Sequence, residues 1–280
     1  MHERSTGGSR GLRGRRAVVT GGAAGIGGAV ASRLTAEGTQ VMIADVDAAI
    51  GRQTAHRLGA RFVAVDLSTL DGVRAMMAAV RRELGGPDVL VNNAGGVVTP
   101  VYPGATAEHW MRMLDLNLRG VMLSTQLAIE VMGPGGAIVN IASTAGLGHG
   151  VHGVPEYAVA KAGVMRLTAC LAPLRDSRGI RVNCVCPGLT DTPSWRRDLA
   201  NMTPAERVSA PPAMPAEEVA DAVVVMLTDP NLAGRVVVCQ HGRPRRLLPA
   251  CAWPDYVDAL AGRDASTGTT APSAADPSSS

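Results

Sequence analysis

The chain has 280 residues, 46% of them hydrophobic and 18% charged, enough apolar material for one sizeable core and too much for wholesale disorder. Its formal net charge is +3 with the arginines scattered along the sequence, so charge points to neither nucleic acid nor a membrane as partner. No apolar stretch approaches the roughly 18 residues of a membrane span, and the polar, Gly/Arg-rich start lacks the apolar centre of a signal peptide; the chain reads as cytosolic.

From residue 16 onward, short Val/Ile/Ala runs alternate with longer helical stretches. Strands are expected at 16–20, 40–44, 61–65, 89–92, 137–141, 181–186 and 235–239. Helices are expected at 26–37, 48–58, 71–84, 107–131, 157–178 and 216–227. The strands are apolar nearly throughout, as in a parallel sheet covered on both faces. Right-handed crossovers then give an α/β fold, a doubly wound (Rossmann-type) parallel seven-stranded sheet in three α/β/α layers. We expect a single domain over 14–261, a flexible start over 1–13 and a disordered, Ser/Thr/Ala/Pro-rich tail over 262–280. In such a fold the ligand crevice lies beyond the carboxyl ends of the strands. The informative loops are therefore 20–27, 44–47, 66–68, 92–96, 142–156 and 187–213. Five cysteines (Cys170, Cys184, Cys186, Cys239, Cys251) form no Cys-x-x-Cys pair. They read as small buried hydrophobes in a reducing compartment, and no His/Cys spacing suggests a metal.

After the first strand, Thr20-Gly21-Gly22-Ala23-Ala24-Gly25-Ile26-Gly27 opens directly into a helix. Glycines there allow a tight turn and close backbone approach, while the helix amino end presents free N–H groups to a pyrophosphate. Asp45 ends the second strand, where a carboxylate accepts from ribose hydroxyls and repels a 2′-phosphate. No Arg or Lys lies within 20–28 to receive such a phosphate, so the pattern favours NAD over NADP; Asp45 as a cap for the following helix is the plainer alternative. Lys161 is the single lysine among 27 basic residues, which suggests a position that needs an ammonium and not merely a positive charge. Four residues earlier stands Tyr157, so the two share a helix face. There the ammonium could lower the phenol pKa from about 10 and make it a usable acid/base.

These motifs together resemble the short-chain dehydrogenase/reductase family over roughly 14–240. The resemblance rests on the Thr20–Gly27 turn, Asp66-Leu67 after the third strand and Asn92-Asn93-Ala94-Gly95 after the fourth. Further along it rests on Asn117, Ser143, Tyr157-Ala158-Val159-Ala160-Lys161 and Pro187-Gly188. It implies an NAD-dependent oxidoreductase interconverting a secondary alcohol and a ketone or related carbonyl. Tyr157 would be the general acid/base, Ser143 would hold the substrate oxygen, Lys161 would also bind the nicotinamide ribose, and Asn117 would position a proton-relaying water. Cofactor contacts would come from Gly21, Ala24, Gly25, Ile26, Gly27, Asp45, Asp66, Leu67, Asn93, Ala94, Gly95, Tyr157, Lys161, Pro187, Gly188, Thr190 and Thr192. It also implies a homo-oligomer, tetramer or dimer, through the helices at 107–131 and 157–178. Two rival readings are an idle NAD-binding sensor or scaffold that keeps the fold, and a sugar-nucleotide epimerase or dehydratase. Presence of all four catalytic candidates argues against the first. The glycine spacing and the lack of a larger carboxyl-terminal domain argue against the second.

The sequence departs from the family pattern in three places. The Ser143-to-Tyr157 interval is one residue longer than usual and carries His149 and His152, which could reach a substrate. Val238-Cys239-Gln240-His241-Gly242 replaces the usual end of the last strand, and the segment 247–260 carries Trp253 and Tyr256 as apolar anchors. Specificity would reside in 189–215, read as a loop able to close over the site.

Overall fold

A computed structural model describes residues 11–148 and 152–249. Its strands are β1 (Arg16–Thr20), β2 (Gln40–Asp45), β3 (Arg61–Ala64), β4 (Val89–Asn92), β5 (Ala137–Ile141), β6 (Arg181–Pro187), β7 (Thr190–Asp191), β8 (Met214–Pro215), β9 (Val236–Cys239) and β10 (Arg246–Leu247). Its helices are α1 (Gly25–Ala36), α2 (Ala48–Leu58), α3 (Leu70–Leu84), α4 (Ala107–Leu114), α5 (Gly120–Val131), α6 (Pro155–Cys170), α7 (Leu174–Arg178), α8 (Pro193–Asn201), α9 (Pro204–Ser209) and α10 (Ala216–Thr228).

The main sheet runs β3-β2-β1-β4-β5-β6-β9-β10. All seven expected strands are present and mutually parallel, and β10 adds a short antiparallel eighth at one edge, Arg246 facing Val238. The order reverses between β1 and β4, where such sheets open their ligand crevice. Alternate strand residues enter two cores. Ala17, Val19, Val41, Ile43, Val89, Val91, Val139 and Ile141 pack with α1 and α10. Val18, Met42, Leu90 and Ile138 pack on the other face with α3 and α5. That period-two division of apolar strands is the direct cause of the three layers.

Helix ends follow local chemistry. Asp47 accepts from Ala49 N and Ile50 N at the start of α2, and Gly59 ends it in the left-handed region. Thr69 caps α3, which ends at left-handed Gly85. Gly51 on α2 is required by packing, since a Cβ there would lie 2.1 Å from the ring of Phe62, the chain's one phenylalanine.

Four expectations need correction. The helix expected over 107–131 is broken: Asp115–Arg119 forms a π turn between α4 and α5, closed by Gly120 N donating to Asp115 O. The helix expected over 157–178 stops at Cys170, because Pro173 has no N–H to continue it, and α7 restarts beyond. The loop expected over 187–213 contains α8 and α9, pinned at its base by the parallel pair β7 and β8. The flexible start expected to reach residue 13 does not, for Leu12 is buried and its carbonyl accepts from the Thr39 hydroxyl. The compact unit containing the sheet extends to Leu247, and of the unit after it only Leu248 and Pro249 are described. The domain end at 261, the tail, Trp253 and Tyr256 lie outside the described residues.

Candidate active site

The glycine turn is built backbone against backbone. Gly21 (φ +61°) and Gly25 (φ +55°) take left-handed conformations, and Gly21 N donates to Ala44 O across to β2. A Cβ on Gly27 would lie 2.1 Å from Gly21 O and 2.4 Å from Asn93 Nδ2, so α1 can approach β1 only with glycine there. Asn93 Nδ2 in turn donates to Thr20 O (3.0 Å) and Gly21 O (3.1 Å). The Thr20 hydroxyl accepts from Asn93 N (2.9 Å) and Ala94 N (3.0 Å) and donates to Val91 O. Thr20 thus ties the first and fourth strand ends together, a role that sequence reading passed over although the residue opens the motif.

Asp45 Oδ2 accepts from Ala23 N (3.0 Å) and its Oδ1 from Asp47 N (3.0 Å). The carboxylate is therefore aimed at the glycine turn, and the helix cap beside it is Asp47. Asp66 is exposed and accepts from Ser68 N and Ser68 Oγ, bonds that hold its carboxyl below the usual range. Leu67 is buried in the second core.

At the other end of the crevice four expected residues converge. Lys161 Nζ is buried, donates to Ile141 O (3.0 Å) and lies 5.5 Å from the centre of the Tyr157 ring. The Ser143 side chain is close enough to the Tyr157 phenol to act on its proton affinity, and Ser143 Oγ accepts from Ala145 N. Asn117 sits on the π turn, fully buried. Its Oδ1 accepts from Gly96 N (2.9 Å), while Nδ2 donates to Gly96 O (2.9 Å) and Met113 O (3.0 Å). A Cβ on Gly95 would meet both Asn117 Oδ1 (2.6 Å) and Lys161 Nζ (3.1 Å). His152 stacks on Tyr157 at 6.4 Å between ring centres; His149 lies outside the described residues.

The electrostatics differ from the sequence expectation. Burial drives the Tyr157 phenol above its ordinary value, the Ser143 side chain opposes this, and Cys186 adds to it. Lys161, expected to lower the phenol, is itself pulled down to about 8 by burial, against Cys184 and Cys186. Desolvation of both groups outweighs their attraction here. Burial also pushes the Cys184 thiol up, and that of Cys186 to about 12, so both stay protonated near neutrality.

Pro187 ends β6, and Gly188 N donates to Cys239 O. The Thr190 hydroxyl donates to Gly188 O, and Thr192 Oγ1 accepts from Trp195 N to cap α8. Thr192 also crosses to the cofactor turn: a Cβ on Gly25 would meet its methyl at 3.3 Å. Thr192 therefore lies directly beside the glycine turn, with no more room than a glycine leaves.

Glycine turn, acidic β2 end and Ser/Tyr/Lys cluster at the carboxyl edge of a 3-2-1-4-5-6 sheet define a nucleotide-dependent oxidoreductase of the doubly wound class. The chain belongs to the short-chain dehydrogenase family, whose model matches residues 15–202 and whose members use nicotinamide cofactors. It is 37% identical over 189 residues to galactitol 2-dehydrogenase of Agrobacterium fabrum, covering 66% of this chain and 73% of that one. It is 38% identical over 232 residues to cis-4-hydroxycyclohexanecarboxylate dehydrogenase of Sinomonas cyclohexanicum, covering 77% and 90%. A solved structure from Brucella melitensis 16M, named ribose-5-phosphate isomerase, matches with a TM-score of 0.75 at 33% identity, covering 89% of this chain and 98% of that one. No helix among the described residues is long and apolar enough to cross a membrane.

Proposed function

We propose that this protein is an NAD-dependent oxidoreductase interconverting a secondary alcohol and its ketone, with Tyr157 as general acid/base. The observation that carries the reading is the convergence of Tyr157, Ser143 and buried Lys161 at the carboxyl edge of β5 and β6. The residues toward the cofactor fit it: Gly21, Gly25 and Gly27 put no Cβ at the closest backbone approaches of the turn, and Asp45 is braced by two backbone donors beside it. Bound nicotinamide supplies a hydride acceptor or donor. In alcohol oxidation the carbinol C–H leaves with its electron pair, the O–H proton passes to ionised Tyr157 Oη, and the C=O bond forms; reduction reverses each transfer. Ser143 Oγ donates to the substrate oxygen and holds it beside Tyr157. Lys161 puts its charge under the phenol and by attraction works against the burial that disfavours the ionised form. Asn117 holds Gly96 through both backbone groups and so keeps the Asn93–Gly95 segment against Lys161. Asp45 disfavours a 2′-phosphate by charge, hence NAD.

Galactitol at C2 and the ring carbinol of cis-4-hydroxycyclohexanecarboxylate, the substrates for which two relatives are named, are both secondary alcohols. Trp110, Met111, Met122 and Val159 expose apolar surface on α4, α5 and α6, which supports a homo-oligomer through these helices. Free thiols at Cys170, Cys184, Cys186 and Cys239 fit a reducing, cytosolic setting.

The test is NADH formation across a panel of secondary alcohols, with NAD and NADP in parallel. Turnover should prefer NAD and fall on the order of a thousandfold in Tyr157→Phe. Undiminished turnover in that variant would sink the assignment. NADH binding without turnover on a widening panel would shift the reading to an idle binder.

A further inference from the structure

Glu156 immediately precedes Tyr157 and is buried, with 8% of its surface exposed. It lies in the first turn of α6, where a negative charge suits the helix dipole, but an exposed carboxylate would serve that purpose without desolvation. Glu156 is turned inward instead. Its Oε1 accepts from Tyr102 N at 2.9 Å, 54 residues away in sequence. Its Oε2 is the one buried side-chain nitrogen or oxygen among the described residues that lacks a hydrogen-bond partner. An incompletely satisfied buried carboxylate calls for a purpose beyond stability.

The placement of Tyr102 supplies one. The segment 96–104 leaves the site at Gly96, where Asn117 grips both backbone groups. At Tyr102 it meets α6, where Glu156 takes the amide. Between these anchors run Val97, half exposed at 51%, and partly buried Val101. The segment is thus fastened at Gly96 to Asn117 and at Tyr102 to the residue that precedes Tyr157 in α6.

Resting on the oxidoreductase reading above, we propose that Glu156 is a positioning residue for the alcohol. By holding Tyr102 it fixes the far end of the segment that leaves the site at Gly96, and through that segment sets where the substrate carbinol meets Tyr157. Reach and acceptor character matter, not charge. Glu156→Gln keeps an oxygen at the same reach, whereas Glu156→Asp keeps the charge but withdraws it by one methylene.

The experiment compares Glu156→Gln, Glu156→Asp and Glu156→Ala by steady-state kinetics with NAD, by NADH affinity, and by amide hydrogen exchange over 96–104. Asp and Ala should raise KM for the alcohol about tenfold, with kcat within about threefold and NADH affinity unchanged, while Gln stays near wild type. Exchange over 96–104 should rise in Asp and Ala alone. Rescue by Asp and not Gln, or an unchanged KM and exchange in Ala, would overturn the proposal. A parallel loss of NADH affinity would also overturn it, by showing a general structural role. If wild type turned over no alcohol, the oxidoreductase reading would fall, and the exchange comparison would still decide whether Glu156 is the anchor.

Discussion

The two banks of the crevice are held in opposite ways. On the cofactor bank, the ends of β1, β2 and β4 lock through Thr20, Gly21, Asn93 and Asp45, with backbone groups as partners and glycine wherever chains meet. On the other bank, residues 192–213 leave the body between β7 and β8 and form α8 and α9, neither of which buries a residue. Caps by Thr192 and Thr203 and the exposed pair Arg196–Asp191 hold that excursion. Buried backbone-to-backbone packing is therefore concentrated on the cofactor bank, while the excursion over 192–213 is held mainly by local caps and exposed polar contacts.

That contrast is most severely tested at Gly27. Alanine there drives a Cβ into Gly21 O, a backbone atom that cannot swing aside, and into Asn93 Nδ2, which two hydrogen bonds to Thr20 O and Gly21 O hold in place. We expect Gly27→Ala to cost about 3 kcal/mol, or roughly 10 °C in Tm, and to abolish measurable NADH binding. Thermal unfolding and fluorescence titration check both. A near-wild-type variant would mean that the bank is far softer than its geometry.

Lys161 lies between Gly95 and the Tyr157 ring. Burial lowers its folded pKa from 10.5 to about 8, so between those values the unfolded chain holds more protons than the folded one. Stability should then rise with pH across that window, and the penalty is fully present below about 8. Urea denaturation without cofactor at pH 7 and pH 10 should show wild type gaining on Lys161→Met by on the order of 2 kcal/mol. An equal difference at both pH values would mean that the ammonium is solvated and that its place under Tyr157 is not a dry one.

The same contrast governs what could be read from the sequence. Backbone constraints on the cofactor bank leave a residue-type signature, hence Gly21, Gly25, Gly27 and Asp45 were legible, as was Tyr157 four residues before the only lysine. The seven longer strands were legible because most of them are apolar and buried on both faces, whereas the two-residue strands β7, β8 and β10 carry no such pattern. The π turn was not, since apolar periodicity runs through 107–131 without a break; the one clue was Asn117, a poor mid-helix residue that turns out to grip Gly96. Pro173 was a legible stop that the apolar pattern overrode. Thr192-Pro193 and Thr203-Pro204 with Glu206 are ordinary helix-start signals for α8 and α9, hidden by reading the whole stretch as a loop. The Glu156–Tyr102 contact had no sequence signal, because nothing local relates residues 54 apart.

The smallest effect belongs to the loosely packed bank. Arg196 donates through Nε and NH2 to both Asp191 oxygens at 2.7 and 2.8 Å, and this holds the Asp191 carboxyl below its usual range. A depressed carboxyl pKa contributes stability above the unfolded value and loses it as pH falls through the folded one. Both side chains, however, are 69% and 40% exposed, so water and salt screen the pair and ordering two side chains offsets what remains. Arg196→Ala should leave Tm within about 1 °C of wild type at physiological salt, while amide exchange over 192–213 quickens. A drop in Tm comparable to that of Gly27→Ala would mean that α8 is fastened to the body as firmly as the glycine turn, because only a segment that unfolds with the core can carry the loss of one exposed pair into the global transition.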